Sequence, residues 1–396
     1  MSDQNPVFIP GPTNIPDRLR RAMQVQSQDH RSPDFVKTFA PVLEKTKAVF
    51  GTTAGQIITF PSSGTGGWEA AVSNTLSKGD TVLIARYGMF SHRWIDLCQR
   101  HGLNVQIIEC EWGGGAPADR FQAALQADTD RKIKAVLVTH NETATGVVSD
   151  IAAVRRAMNA ADHAAMLFVD CVSSLASMPF EMDDWGVDIA IAGSQKGFML
   201  ATGMAILAVS PKALAHMETA DLPRTFFDFR DMMKANSTGG FPYTPPLQLI
   251  YGMGESLNML FEEGLDNVYA RHHRLAEGVR RAVAAWELDL VAQSPDLYSD
   301  TVSAIYVPDG FDSNALVEHA FRAYGVSFGI GLGEMNGKAF RIGHLGMLTD
   351  VMVLSGLATI EMAMADLNYP ITLGAGVTAA QNYFRHSRDT ALKSAA

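Results

Sequence analysis

Cysteine is scarce in this chain, and no type of residue forms a long run. Cys98, Cys110 and Cys171 are the only cysteines in 396 residues, too few and too scattered for a disulfide framework or a metal cluster, so a reducing compartment is expected. Basic residues never run beyond pairs such as Arg155-Arg156 and Arg280-Arg281, and the formal net charge is −10. That combination argues against nucleic acid or an anionic membrane as the main partner. No apolar stretch reaches the ~18 residues of a membrane span. The opening "MSDQNPVFIPGP" lacks the basic and apolar regions of a signal peptide. The expectation is a cytoplasmic protein with no membrane partner. What is present is 47% hydrophobic and 19% charged residues, enough for a large core and, at ~100–200 residues each, two or three domains.

Short apolar runs recur along the first two thirds: "IITF" from 57, "TVLIA" from 81, "VQII" from 105, "AVLVT" from 135, "MLFVD" from 166, "VDIAIA" from 187 and "MAILAV" from 204. Helical patterns such as 118–126 and 151–162 lie between several of them. Continuous apolar strands alternating with amphipathic helices predict an α/β fold, a mostly parallel central sheet sandwiched by helices. After about residue 260 the pattern changes to one long helix through "NVYARHHRLAEGVRRAVAAW" and then mixed short elements. The expected division is an N-terminal arm over 1–20, a large domain over 21–260 and a small C-terminal α+β domain over 261–396, with a weakly patterned tail from Ile371.

Ligands of such sheets bind at the carboxyl ends of the strands, and the polar, Gly-rich turns fall there: "SSGTGG", "HNETATG", "DCVSS" and "GSQKG". Taken alone, each is a plausible strand-to-helix connection. "SSGTGGWEA" is no P-loop, because no Gly-Lys-Ser/Thr follows, and no dinucleotide fingerprint, because Glu69 replaces the third glycine. It offers Ser63, Gly64 and Thr65 to a single phosphate at the positive end of the next helix. Asp170 ends one strand, and 26 positions later Lys196 stands without an acidic neighbour at the end of another. A lysine for a Schiff base, a carboxylate for a pyridine nitrogen and a helix N-terminus for a phosphate are the three requirements of pyridoxal 5'-phosphate.

The set "PGPTNIP", "SSGTGGWEAA", "THNETATG", "VDCVSS", "AGSQKG" and "FRIGHLG" resembles the alanine/serine/aspartate–glyoxylate aminotransferases, class V enzymes of fold type I, from about Ile9 to Leu367. The resemblance implies Lys196 as the Schiff-base lysine and Asp170 as the partner of the pyridine nitrogen. It puts Ser63, Gly64, Thr65 and Gln195 at the phosphate, Phe90 on the cofactor ring and Thr143 at its phenolic oxygen. Arg341 would grip the substrate α-carboxylate, with Gly11 nearby. "FPYTPP" matches a segment that crosses a homodimer interface, where Thr244 would reach the partner's phosphate. Phe241 departs from the pattern, since some relatives have a phosphate-binding tyrosine there. The implied reaction is a ping-pong transamination of glyoxylate to glycine.

A cysteine desulfurase has a similar sheet and lysine, but it needs a nucleophilic cysteine on a later loop, and none follows Cys171. It also usually carries histidine where Gln195 stands. A nicotinamide oxidoreductase lacks its fingerprint here, and a purely cofactor-holding protein leaves Arg341 unexplained. The donor turns on "DHRSPDF", residues 29–35. Ser32 is the expected helix cap with Pro33 at the first helical position, which accounts for Ser-Pro-Asp but not for His30-Arg31. A similar dipeptide in phosphoserine aminotransferases holds an anionic side chain. The resemblance thus favours L-aspartate as donor, giving oxaloacetate. Serine, giving hydroxypyruvate, is the alternative, because serine–glyoxylate enzymes carry a similar His-Arg.

Overall fold

The computed structural model describes residues 5–394; the first four residues of the expected arm and the last two of the chain lie outside the described residues. Seven strands form the main sheet: β1 (Gln56–Phe60), β2 (Thr81–Arg86), β3 (Asn104–Glu109), β4 (Ile133–Thr139), β7 (Met166–Asp170), β8 (Ile189–Gly193) and β9 (Ala205–Val209). A two-strand ladder, β5 (Asn141–Glu142) and β6 (Val147–Val148), follows β4. The main sheet runs in the order β1-β9-β8-β7-β4-β2-β3. Pairing is parallel from β8 to β3, while β9 is antiparallel to both its neighbours. β1 therefore points the same way as β8. The turns after β1, β4, β7 and β8 consequently share one edge of the sheet.

Alternate residues of each strand enter different cores. Val136, Val138, Leu167, Val169, Ala190 and Ala192 pack on one face, whereas Ala135, Leu137, Met166, Phe168, Ile189 and Ile191 pack on the other. Burial on both faces is why these strands read as unbroken apolar runs. Helices Pro33–Val49 and Ile151–Ala160 contribute Phe35, Phe39, Val154 and Met158 to the first core. Helices Gly64–Thr75 and Met89–Arg100 contribute Trp68, Val72, Trp94 and Ile95 to the second.

A smaller antiparallel sheet, β10 (Val302–Tyr306), β12 (Ala339–Gly343) and β11 (Gly329–Ile330), pairs in that order. Its core holds Trp286, Phe340, Ile342, Leu357 and Phe384. The chain before residue 20 is tied to both parts. Phe8 is buried in the small core, donating to the Ser327 carbonyl at 2.8 Å and accepting from Gly343 N–H at 2.6 Å, while Leu19 is buried in the large one.

Two expectations are corrected. The weakly patterned tail contains a helix, Ala375–Ser394. Phe384 anchors it against Gly278, where a Cβ would come within 2.2 Å of the ring, and the Glu361 carboxylate accepts from Gly376 N–H at 2.6 Å and Trp286 Nε1 at 2.6 Å. Ser32 does precede a helix that opens on Pro33, but its hydroxyl makes no cap bond; its carbonyl accepts from Phe35 N–H at 3.1 Å instead.

Candidate active site

The strand-end turns and the "PGP" turn meet in one cavity of about 220 Å³. Its lining contains Gly11, Ser63, Gly64, Thr65, Phe90, Thr143, Asp170, Gln195 and Lys196, nine residues singled out from the sequence. Pro12, Trp68, Val172, Ser173 and Thr202 complete the wall. Ser173, in "DCVSS", was within reach of sequence reasoning, since it occupies the same strand-end turn as Asp170. It accepts from the Thr143 hydroxyl at 2.7 Å and donates to the Asn141 carbonyl at 2.9 Å, so it fixes the turn after β4 against the turn after β7.

Lys196 sits in the turn between β8 and β9, where its amine reaches the carbonyl of Pro10. Gly11, at φ +106°, lies so close that a Cβ would come within 2.5 Å of the Lys196 Nζ. Glycine there leaves room for the amine and adopts a backbone that other residues rarely hold. Asp170, at the end of β7, accepts from Val172 N–H at 2.9 Å. Burial raises the Asp170 carboxyl to about 7, with the Glu142 charge adding to this and Lys196 opposing it. Burial lowers the Lys196 amine to about 8; the Arg341 cation adds to this, and Asp170 opposes it. The pair is therefore poised near neutrality, as proton-transfer groups require.

Helix Gly64–Thr75 points its N-terminus into the cavity with Ser63 at the N-cap position and no side chain capping it. The Oε1 of Gln195 is buried there without a hydrogen-bond partner. A Cβ on Gly64 would come within 2.4 Å of Val172 Cγ2. An open helix N-terminus lined by small residues forms a cradle suited to a phosphate.

Arg341, on β12 of the smaller sheet, is 7% exposed. It donates through Nε to the Ile330 carbonyl at 2.9 Å and through Nη1 to the Thr143 carbonyl at 3.0 Å. Burial lowers its guanidinium to about 10, while the charge of Glu142 supports the cation. Two of its five N–H donors are spent on these carbonyls. The remaining three suit a carboxylate.

Arg341, His30, Arg31 and Thr244 do not line this cavity. Arg31 and Thr244 are exposed, and the buried Nε2 of His30 has no partner. Their two segments are neighbours. Phe39 of the helix that follows Arg31 lies 5.5 Å from Phe241 between ring centroids, and Gly239 abuts Val36. Phe241 packs among aromatic rings, which accounts for a phenylalanine at that position.

Residues 12–327 match the model of the family described as aminotransferase class-V. The chain is 61% identical to the L-aspartate–glyoxylate aminotransferase of Paracoccus denitrificans over 396 residues, 100% of both chains. It is 54% identical to the serine–glyoxylate aminotransferase of Methylorubrum extorquens over 97% of each chain. Among solved structures, the pyridoxamine–pyruvate aminotransferase of Mesorhizobium loti matches with a TM-score of 0.90 at 27% identity, covering 98% of this chain and 99% of that one.

Proposed function

Because the chain belongs to the class-V aminotransferase family, we propose that it transfers the amino group of L-aspartate to glyoxylate, giving oxaloacetate and glycine. The observation that carries the donor is the full-length 61% identity to an L-aspartate–glyoxylate aminotransferase. Serine is the second reading, favoured by the 54% identity to a serine–glyoxylate enzyme.

The residues of the cavity fit pyridoxal 5'-phosphate. Ser63, Gly64, Thr65 and Gln195 would hold its phosphate, Phe90 its ring face, Thr143 its phenolic oxygen, Asp170 its pyridine nitrogen and Lys196 its carbonyl carbon. When bound, it supplies an electron sink for charge leaving the substrate α-carbon. Asp170, as an anion, holds a proton on the ring nitrogen. Lys196, with an amine lowered to about 8, exists partly as a free base near neutral pH and is suited to carry the α-proton. Arg341 holds the α-carboxylate of donor and acceptor alike through its planar fork. The same groups serve both half-reactions, so the cycle is ping-pong.

The active unit in this reading is a homodimer in the cytoplasm. The neighbouring segments that carry Arg31 and Thr244 lie outside their own subunit's cavity, which supports their facing the partner's, with Thr244 at its phosphate and His30-Arg31 near the donor's second carboxylate.

Two measurements test the proposal. The visible spectrum of the holoenzyme should change on addition of aspartate and return on addition of glyoxylate. The value of kcat/KM with glyoxylate should be highest for aspartate among aspartate, serine and alanine. Arg31→Ala should cost aspartate ~2 kcal/mol, about thirtyfold, and spare serine. A wild-type preference for serine replaces the donor. An equal loss for all donors returns Arg31 to a structural role.

A further inference from the structure

Glu142 is a fully buried carboxylate that lies outside the cavity lining and has no part in the chemistry above. It has an unusual set of partners. Helix Met89–Arg100 begins after Gly88, which has no side chain to cap it. The carboxylate that meets its first turn comes from 52 residues downstream: Glu142 Oε2 accepts from Phe90 N–H at 3.1 Å and Ser91 N–H at 3.0 Å. Its Oε1 accepts from Phe90 N–H at 3.2 Å and Ala144 N–H at 3.2 Å. A carboxylate at a helix N-terminus is stabilised both by these free donors and by the positive end of the helix dipole.

The approach depends on Gly88, where a Cβ would come within 2.2 Å of Glu142 Cγ and 2.3 Å of Cδ. The next residue, Thr143, gives its carbonyl to Arg341. A single bend of chain thus fixes the residue that forms the ring wall of the cavity, Phe90, and the residue that captures the carboxylate, Arg341. A buried carboxylate is costly unless it is well bonded, and capping the helix that presents Phe90 is the use to which its bonds are put.

We infer that Glu142 is a positioning residue, holding Phe90 against the cofactor through the N-terminus of helix Met89–Arg100 and tying that wall to the arginine of the smaller sheet. The inference rests on the roles of Phe90 and Arg341 in the proposed function. A glutamine in its place keeps the shape and one acceptor oxygen, but turns an N–H₂ toward backbone N–H donors.

The test is a double-mutant cycle on cofactor affinity, measured by titrating apoenzyme with pyridoxal 5'-phosphate and following protein fluorescence. Glu142→Gln should weaken binding on the order of tenfold, the size of one lost charge-assisted hydrogen bond. In the Phe90→Ala background the same change should have little further effect, because its route of action is gone. Gly88→Ala, which displaces the carboxylate by steric contact while leaving Glu142 in the sequence, should reproduce the Glu142→Gln loss and keeps the test open if that variant folds poorly. Additive losses in the two backgrounds, or unchanged affinity in Gly88→Ala and Glu142→Gln, would overturn the inference. If Phe90→Ala alone binds cofactor normally, the assignment of Phe90 to the ring fails and takes this inference with it. A preference for serine over aspartate leaves the inference standing.

Discussion

Replacing Arg341 with alanine removes three things at once: a buried cation, its bond to the Thr143 carbonyl and its bond to the Ile330 carbonyl. The first concerns the substrate. A carboxylate that pairs with a guanidinium only 7% exposed has left water, and without the fork it is left unpaired, a loss of ~2–5 kcal/mol. That corresponds to a fall in kcat/KM of about thirtyfold to several thousandfold. The second and third concern stability, since each carbonyl loses a donor, at roughly 1–3 kcal/mol for each one left dry. Arg341→Lys should fall between, because lysine keeps the charge but cannot serve two carbonyls and a carboxylate together. The assay is kcat/KM for aspartate with glyoxylate, alongside thermal unfolding of the same preparations. An Arg341→Ala enzyme within threefold of wild type would falsify the placement of the substrate carboxylate.

Lys196→Ala should remain folded and lose nearly all transamination; near-normal turnover would remove the lysine from the reaction. Asp170→Asn should bind pyridoxal 5'-phosphate more weakly and turn over slowly, and retained activity would dismiss the carboxylate. In the cofactor-free protein the same two groups give opposite pH effects on stability. Asp170, raised from 3.8 to about 7, binds more protons folded than unfolded, so its contribution falls as pH rises from about 4 to about 7. Lys196, lowered from 10.5 to about 8, binds fewer, so its contribution grows from about 8 to about 10.5. Unfolding curves that keep both slopes in Asp170→Asn and Lys196→Ala would contradict these environments. Thr244→Ala should weaken cofactor binding only if the segment reaches a partner subunit, and a fully active monomer at assay concentration would refute that arrangement.

The main sheet was legible because both of its faces are buried, so every strand stands out as an apolar run, and because polar turns interrupt these runs at one edge. Ser63, Gly64, Thr65, Asp170 and Lys196 were legible for the same reason, whereas Gly11, Phe90, Thr143 and Gln195 were reached only through the family resemblance. The direction of β9 was also implicit: only 11 residues, 194–204, separate β8 from β9, and a parallel return needs a dozen or more, usually with a helix. Glu142 was not legible as a cap, because the helix it serves starts some 50 residues earlier and only the fold brings the two together. The last helix hid for another reason. It packs along helix Leu265–Ala285 through few large apolar side chains, Val377, Tyr383 and Phe384 among them, so periodicity barely registers. Ser32 shows the converse, a correct helix start whose expected side-chain bond is not made.

The segment around Phe8 to Thr13 bears on the order in which the protein is made. It touches Lys196 and Gln195 at one end and Ser327 and Gly343 at the other, so its partners leave the ribosome long after it does. At ~5–20 residues per second, the interval between Phe8 and Gly343 is roughly 17 s to a little over a minute. The contacts with Gln195 and Lys196 become available about halfway through that time, whereas Arg341 is synthesised only at its end. The strands of the main sheet are all made by Val209, but the pocket and its arginine come together only once residues up to Gly343 have emerged.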